Sequence, residues 1–206
     1  MVRVLDVATQ TAIRDRRAVA PRNFVLIIAE ALVGGALETF GFTDYGEDVI
    51  TNVIDARTGA TVSHTFYGDN APLIGMDRIP LKIGLEVATT QVLLNPLHPV
   101  VELMARGHNL RNAAVQIHRG WLSLESQLLV APPRPRRLGQ VNGAPITTAA
   151  AGEQSRLVLK VVSGTRELTE LNPTRRSDES QKRRNGDRAR KYNGTAHLWQ
   201  SRWGES

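Results

Sequence analysis

Short segments with strand-like patterns recur along the chain and constrain its fold more than any other feature. The apolar run FVLIIA (residues 24–29) is rich in β-branched residues, and the break at Gly34-Gly35 after it is typical of a buried strand followed by a hairpin. The segment VIDARTGATVSHTFYG (residues 53–68) predicts a second hairpin. Alternating patterns predict further strands within LEVATTQVLLN (85–95), AAVQIHRGWL (113–122) and SRLVLKVVSG (155–164).

Two segments have other patterns. In PLHPVVELMARGHN (residues 96–109) the apolar side chains recur at a spacing of three to four, which predicts a short amphipathic helix at about 98–106. Gly107 stands where we expect the C-terminal cap of that helix. The segment APPRPRRLGQVNGAPITTA (residues 131–149) predicts a proline-rich turn and then a strand broken at Asn142-Gly143.

The order of these elements predicts the fold class. Many strands, spaced 8–15 residues apart and joined by hairpins, indicate a mainly β protein built as an antiparallel sandwich or barrel with one flanking helix. Aromatic residues are only 5% of the chain, so the core must be mainly aliphatic. We expect a β-domain with an N-terminal arm at 1–171 and a basic C-terminal segment at 172–206. The longest apolar stretch is far below bilayer length, so we expect a soluble protein without membrane insertion.

The residue types leave little room for enzyme chemistry. The absence of cysteine excludes disulfides and thiolate metal sites. None of the five histidines has a partner at the spacing of a zinc motif, and we expect His118 to be a partly exposed strand residue. Asp44, Glu47 and Asp48 form an acidic cluster, for which a solvated loop is favoured over a cation site. We therefore expect no catalytic activity and no cofactor.

The basic charge of the chain is concentrated in one segment. Residues 1–170 carry 17 basic and 16 acidic side chains, whereas residues 175–191 carry eight and three. Such a run is either a nucleic-acid-binding tail or a folded element. Within it Ser177 can cap a helix, acids precede bases, and Asn185-Gly186 can end the helix. This order favours a folded element with a short helix at about 177–184, followed by a strand that contains Leu198 and Trp199.

The chain resembles the tail-tip hub proteins of long-tailed (siphovirus-type) bacteriophages and their gene-transfer-agent relatives. The resemblance extends from FVLIIAE to the closing HLWQSRWG and includes two denser matches. In the first, a family segment R-G-h-x-h-x-x-A-x-V-x-I-h-R-G runs from a helix end into the next strand and is matched by Arg106, Gly107, Leu110, Ala113, Val115, Ile117, Arg119 and Gly120. In the second, a terminal arginine-rich stretch is matched by Arg175, Arg176, Ser177, Asp178, Ser180, Gln181, Arg184 and Asp187.

The resemblance implies a virion protein with a β-barrel or sandwich of the tail-tube type. It implies a ring around the tail channel that joins the tail tube to the host-facing tip and passes the genome. The implied partners are further copies of the chain, other tail-tip and tail-tube proteins, and transiently the DNA. Synthesis is expected in the cytoplasm of the host bacterium.

The chain departs from the family pattern in two ways. Many hub relatives carry cysteines for an iron–sulfur cluster, and this chain has none. Larger hubs also carry further domains, so the chain is interpreted as a minimal hub or as a distal tail protein. Hubs resemble trimers and distal tail proteins hexamers, and we favour three copies.

The C-terminal segment is the predicted assembly interface. Its arginines are expected to meet carboxylates of the body or of a neighbouring copy, because bidentate pairing suits interfaces. The competing class, suggested by the same charges, is a basic nucleic-acid-binding module. The residues predicted to form the assembly interface are Arg175, Arg176, Asp178, Glu179, Arg183, Arg184, Asp187, Arg188 and Trp199.

Overall fold

The computed structural model describes residues 5–79, 87–150, 154–164, 178–183, 185–188 and 191. The chain divides into two compact units, Met1–Leu168 and Thr169–Ser206, which are described separately. The first unit contains the helices α1 (Val7–Arg14) and α2 (Pro99–Gly107). Its strands are β1 (Val19–Ala31), β2 (Leu37–Thr43), β3 (Val49–Ile54), β4 (Thr61–Phe66), β5 (Leu73–Met76), β6 (Thr89–Leu94), β7 (His108–Ser123), β8 (Leu129–Gly143), β9 (Ile146–Thr147) and β10 (Arg156–Ser163).

One antiparallel sheet dominates the first unit. Its strand order is β2-β1-β7-β8-β10-β6-β5, and the short strand β9 pairs with β10 outside this order. The strands β3 and β4 pair only with each other, in a separate hairpin. The prediction of a mainly β, antiparallel fold with a flanking helix is therefore confirmed.

The long strand β1 separates two cores of unequal size. Val25, Ile27 and Ala29 face the larger core, which α2 also enters. Phe24 and Leu26 face the opposite side, where they pack against the β3–β4 hairpin. The run FVLIIA is continuously apolar because both faces of this strand are covered, as in strands of buried sheets.

Both predicted hairpins are present, and their turns have the expected chemistry. Gly34 and Gly35 have φ values of 84° and 67°, which glycine adopts without steric cost. In the turn between β3 and β4 one carboxylate oxygen of Asp55 accepts hydrogen bonds from the backbone N–H groups of Arg57 at 2.7 Å and Thr58 at 3.0 Å. The turn residues therefore fix the register of each strand pair.

Helix α2 confirms the mid-chain helix and corrects its end. His98 caps the first turn by accepting a hydrogen bond from the backbone N–H of Val100 at 3.3 Å. Gly107 is the last helical residue rather than a cap, and β7 begins directly after it. Its carbonyl accepts a hydrogen bond from the backbone N–H of Leu32 at 2.9 Å. The β1–β2 hairpin thus satisfies a carbonyl that a capping turn would otherwise satisfy.

The prediction of a proline-rich turn at 131–137 was wrong, because these residues lie within the single long strand β8. Proline lacks the N–H that a strand needs on a paired side, so it is confined to edges and bulges. Both conditions hold here. The strand β10 pairs with β8 only from Gly139 onward, and the pairing of β8 with β7 shifts register beside Pro135.

Helix α1 was not predicted. It begins after Asp6, whose side chain accepts a hydrogen bond from the backbone N–H of Ala8 at 3.1 Å. Only Thr9 and Ala12 are buried on it, so the helix lacks the apolar stripe on which a prediction depends.

The described part of the second unit contains one short helix, α3 (Asp178–Lys182). Asn185 and Gly186 have φ values of 51° and 76°, and the backbone N–H of Gly186 donates to the carbonyl of Lys182 at 3.0 Å. The predicted short helix and its stop at Asn185-Gly186 are confirmed. Its predicted cap Ser177 and the predicted strand at Leu198 and Trp199 lie outside the described residues.

Candidate assembly site

The described part of the predicted interface is a compact network of charges around α3. The carboxylate of Asp178 pairs with Arg188 at 2.9 Å and with Lys182 at 3.9 Å. Lys182 also pairs with Glu179, one turn away. The side chain of Gln181 donates to the carboxylate of Asp187 at 3.3 Å. The acids at the start of α3 therefore contact bases at its end and beyond it. These contacts join the helix to the residues that follow Asn185-Gly186.

This network lowers the pKa of Asp178. The main cause is the hydrogen bond from Arg188, and the positive charges of Arg188, Lys182 and Lys191 act in the same direction. The carboxylate of Asp178 is therefore ionised at neutral pH. Arg188, for which we expected a carboxylate of the body or of a neighbouring copy, pairs with Asp178 of its own segment.

The structure brings together only part of the predicted interface. Asp178, Glu179, Asp187 and Arg188 lie within the network, and Arg183 follows α3 as an exposed residue. The remaining predicted residues lie outside the described part of the chain; they are Arg175, Arg176, Arg184 and Trp199.

The acidic cluster of the sequence is a structural element of the fold. The carboxylate of Asp44 accepts hydrogen bonds from the backbone and the side-chain amide of Asn23, both at 2.8 Å. Asp48 accepts from the backbone N–H groups of Gly68 at 2.9 Å and Asp69 at 3.2 Å. Asp44 thus fastens a loop to β1, and Asp48 joins two loops to each other. Within the described ranges no group of three or more potential ligands is placed to hold a metal ion.

Two polar side chains of β7 fasten the β3–β4 hairpin to the sheet. The prediction that His118 is partly exposed was wrong, because the hairpin covers it completely. Its Nε2 lies 3.0 Å from the carbonyl oxygen of Ile54, and the side-chain oxygen of Gln116 accepts from the backbone N–H of Ala56 at 2.9 Å. Burial lowers the pKa of His118 and keeps the imidazole neutral.

A surface at the far end of β1 escaped the sequence analysis. Leu32, Val33 and Leu37 flank the glycine pair of the β1–β2 turn and are 64%, 90% and 74% exposed. We call these three residues the hairpin tip. The signal was present in ALVGGAL, since turns usually carry polar residues and this one carries aliphatic residues on both sides of its glycines. Exposed aliphatic groups of this kind mark contact surfaces.

None of the helices in the described ranges has both the length and the hydropathy that a bilayer-spanning helix needs. Neither the protein-family models nor the curated proteins with which the chain was compared gave a match. The functional interpretation therefore depends on the residues and geometry of the chain itself.

Proposed function

We propose that this protein is a structural component of a tailed-phage virion. In this role it forms part of the hub ring at the tail tip, joins the tail tube to the host-facing tip and lines the channel through which the genome passes. It acts by assembly rather than by catalysis, and its partners are its own copies and neighbouring tail proteins.

The passage from α2 into β7 is the observation that carries the proposal. The hub resemblance implies that the Arg-Gly segment runs from a helix end into the next strand. Arg106 and Gly107 close α2, and β7 starts at His108 without an intervening loop. Val115 and Ile117, two further matching positions, then point into the larger core. This agreement supports the proposal, because the helix-to-strand passage of the motif coincides with the end of α2 and the start of β7.

The arrangement of charges around α3 favours assembly over nucleic-acid binding. In the described residues Asp178 and Glu179 already neutralise basic neighbours at short range. A segment that binds nucleic acid gains its affinity from basic groups that replace counterions on phosphates. Groups held in internal ion pairs contribute less to that exchange.

The proposal is tested by locating the protein in particles. Intact particles are purified from a strain that carries a tagged copy, and the tag is detected by mass spectrometry and by gold labelling at the tail end. A tagged cytoplasmic protein serves as the control for contamination. Absence of the protein from intact particles rejects the proposal.

Averaged images of isolated tail tips distinguish the two structural roles. Threefold symmetry at the position of the label supports the hub, and a sixfold ring supports a distal tail protein. The competing nucleic-acid class is tested by filter binding between about 50 and 200 mM salt, where a basic module loses affinity steeply. We expect a slope near zero.

A further inference from the structure

Two backbone hydrogen bonds hold the hairpin tip in place. The backbone N–H of Ala31 donates to the carbonyl of Ala36 at 2.8 Å and closes the turn. The hydrogen bond from Leu32 to the end of α2 fastens the tip to a second element. An aliphatic surface held in place in this way loses little conformational entropy when it binds.

A cleft lies at the opposite end of β1. Its volume is about 410 Å³, and it is bounded by α1 through Ala8 and Thr11 and by the strands through Val19, Ser123 and Val130. This volume is within the range of about 300–1,000 Å³ that is usual for binding clefts. Its lining is half apolar and half polar, so it can take an aliphatic group with polar groups around it; the apolar residues are Ala8, Ala12, Val19 and Val130, and the polar ones are Thr11, Arg17, Ser123 and Ser126.

The pairing of β1 with β7 places the two surfaces far apart. Val19, beside the cleft, pairs with Ser123, whereas Ala31, beside the hairpin tip, pairs with His108. A strand of 13 residues is about 40 Å long at roughly 3.3 Å per residue. A hairpin tip and a cleft at opposite ends of one chain can meet only between different copies.

The charges around the two surfaces are complementary. Three exposed arginines, Arg14, Arg16 and Arg17, lie at the end of α1 and just after it, and Arg17 pairs with Asp15 at 3.9 Å. The exposed acid Glu125 adjoins the cleft residue Ser126, so three arginines stand against two acids here. The hairpin tip is flanked instead by two exposed acids, Glu30 and Glu38, of which Glu38 lies 3.0 Å from Nε2 of His108.

One ion pair and one further arginine complete the described surroundings of the hairpin tip. The nearby pair Glu102 and Arg106 lies at 3.1 Å and cancels its own charge. Among the described residues Arg111 is the one further arginine or lysine at that end of β7, so two carboxylates beside the tip stand against one arginine. Opposite charges around two surfaces favour their encounter and set its orientation.

We propose that copies of this chain associate head to tail, with the hairpin tip of one copy seated in the α1 cleft of the next. The contact is heterologous, because a protruding tip fills a cleft but not another tip. Contacts of this kind generate a ring when the rotation between copies closes, and a column when it does not. The inference does not rest on the proposed function, since the purified protein associates in this way whether or not it belongs to a virion.

Three variants isolate the contact. Leu32→Ser/Val33→Ser removes the aliphatic groups of the tip without adding charge, and Thr11→Trp fills the cleft from an exposed position of α1. Ile146→Ser is the matched control, since Ile146 is a 54% exposed aliphatic strand residue outside both surfaces. Circular dichroism and thermal melting verify that each variant folds.

Sedimentation equilibrium over a wide range of concentrations measures the association. We expect the unchanged chain and the Ile146→Ser control to form species larger than dimers. Either contact variant should associate at least about tenfold more weakly, since each removes or blocks the burial of aliphatic side chains.

The decisive measurement is an equimolar mixture of the tip variant and the cleft variant. Each variant keeps one intact surface, so the mixture should stop at a dimer of one copy of each. Three results overturn the proposal: an unchanged chain that stays monomeric, contact variants that associate like the control, and variants that each form a symmetric dimer alone. Loss of the protein from particles would reject the proposed function but leave this result unaffected.

Discussion

Acidification should weaken the attachment of the β3–β4 hairpin through His118. The imidazole is fully buried, donates from Nε2 to the carbonyl of Ile54, and has no partner for Nδ1 within the described residues. Protonation would place an uncompensated charge between hairpin and sheet. Burial is the main cause of the lowered pKa of His118; His64 acts in the same direction, whereas Asp55 opposes it.

The sign and size of the effect follow from linkage. The unfolded imidazole has a pKa of about 6.5, so below that pH the unfolded state binds more protons than the folded state. The stability that depends on the neutral imidazole is therefore fully present above pH 6.5. It is lost as the pH decreases from 6.5 towards the lowered pKa of the folded state. Between pH 7.5 and 5.5 the loss is at most about 1.4 kcal/mol, the limit for an imidazole that stays neutral in the folded state.

Urea unfolding at the two pH values measures this loss. His118→Gln keeps a donor for the carbonyl but cannot titrate, so on acidification it should lose less stability than the unchanged chain, by up to about 1.4 kcal/mol. His64→Gln removes only the smaller cause of the lowered pKa of His118 and leaves its burial intact, so this variant should retain most of the pH dependence. The protection of the amides of residues 49–66, taken relative to their intrinsic exchange rate at each pH, should fall on acidification only where His118 is present. Equal losses in the His118→Gln variant and the unchanged chain would refute the reasoning.

Three other expectations concern packing and assembly. Gly139→Ala should destabilise the fold by several kcal/mol, about the size of other severe core defects, because a Cβ at this position overlaps the carbonyl of Val162. Gly75 has open space around it, so the control Gly75→Ala should be nearly neutral in urea unfolding. Phe66→Ala should cost about 3–5 kcal/mol, since this fully buried ring is a main part of the smaller core; a cost near zero would contradict that role. Truncation after Thr174 should leave a soluble body that fails to enter tails, and infectious tails built from truncated chains would contradict the predicted interface.

Local patterns predicted the strands whose burial is visible along the chain. The run FVLIIA and the alternation in β6 and β10 correspond directly to covered faces. The same reasoning failed at residues 131–137, because the effect of proline depends on whether a neighbouring strand needs its N–H. That neighbour, β10, begins about 20 residues further along the chain and is known only from the tertiary structure.

The site was predictable to a similar extent. The acid-first order around α3 and its stop depend on adjacent residues and could be predicted. The ion pair between Asp178 and Arg188 joins residues ten positions apart and requires the turn at Asn185-Gly186. The burial of His118 depends on a hairpin more than 50 residues earlier in the chain, so no local pattern indicates it.

The central pairing of β1 with β7 also determines how the chain must fold. Residues that face each other across this pair are about 90 positions apart in sequence, and such non-local contacts slow folding to roughly milliseconds to seconds. The β1–β2 and β7–β8 hairpins are local and form within about 1–10 μs each. The rate of folding is therefore set by the encounter of two preformed hairpins. Substitutions between β1 and β7 should slow refolding more than equally destabilising substitutions in β3 or β4.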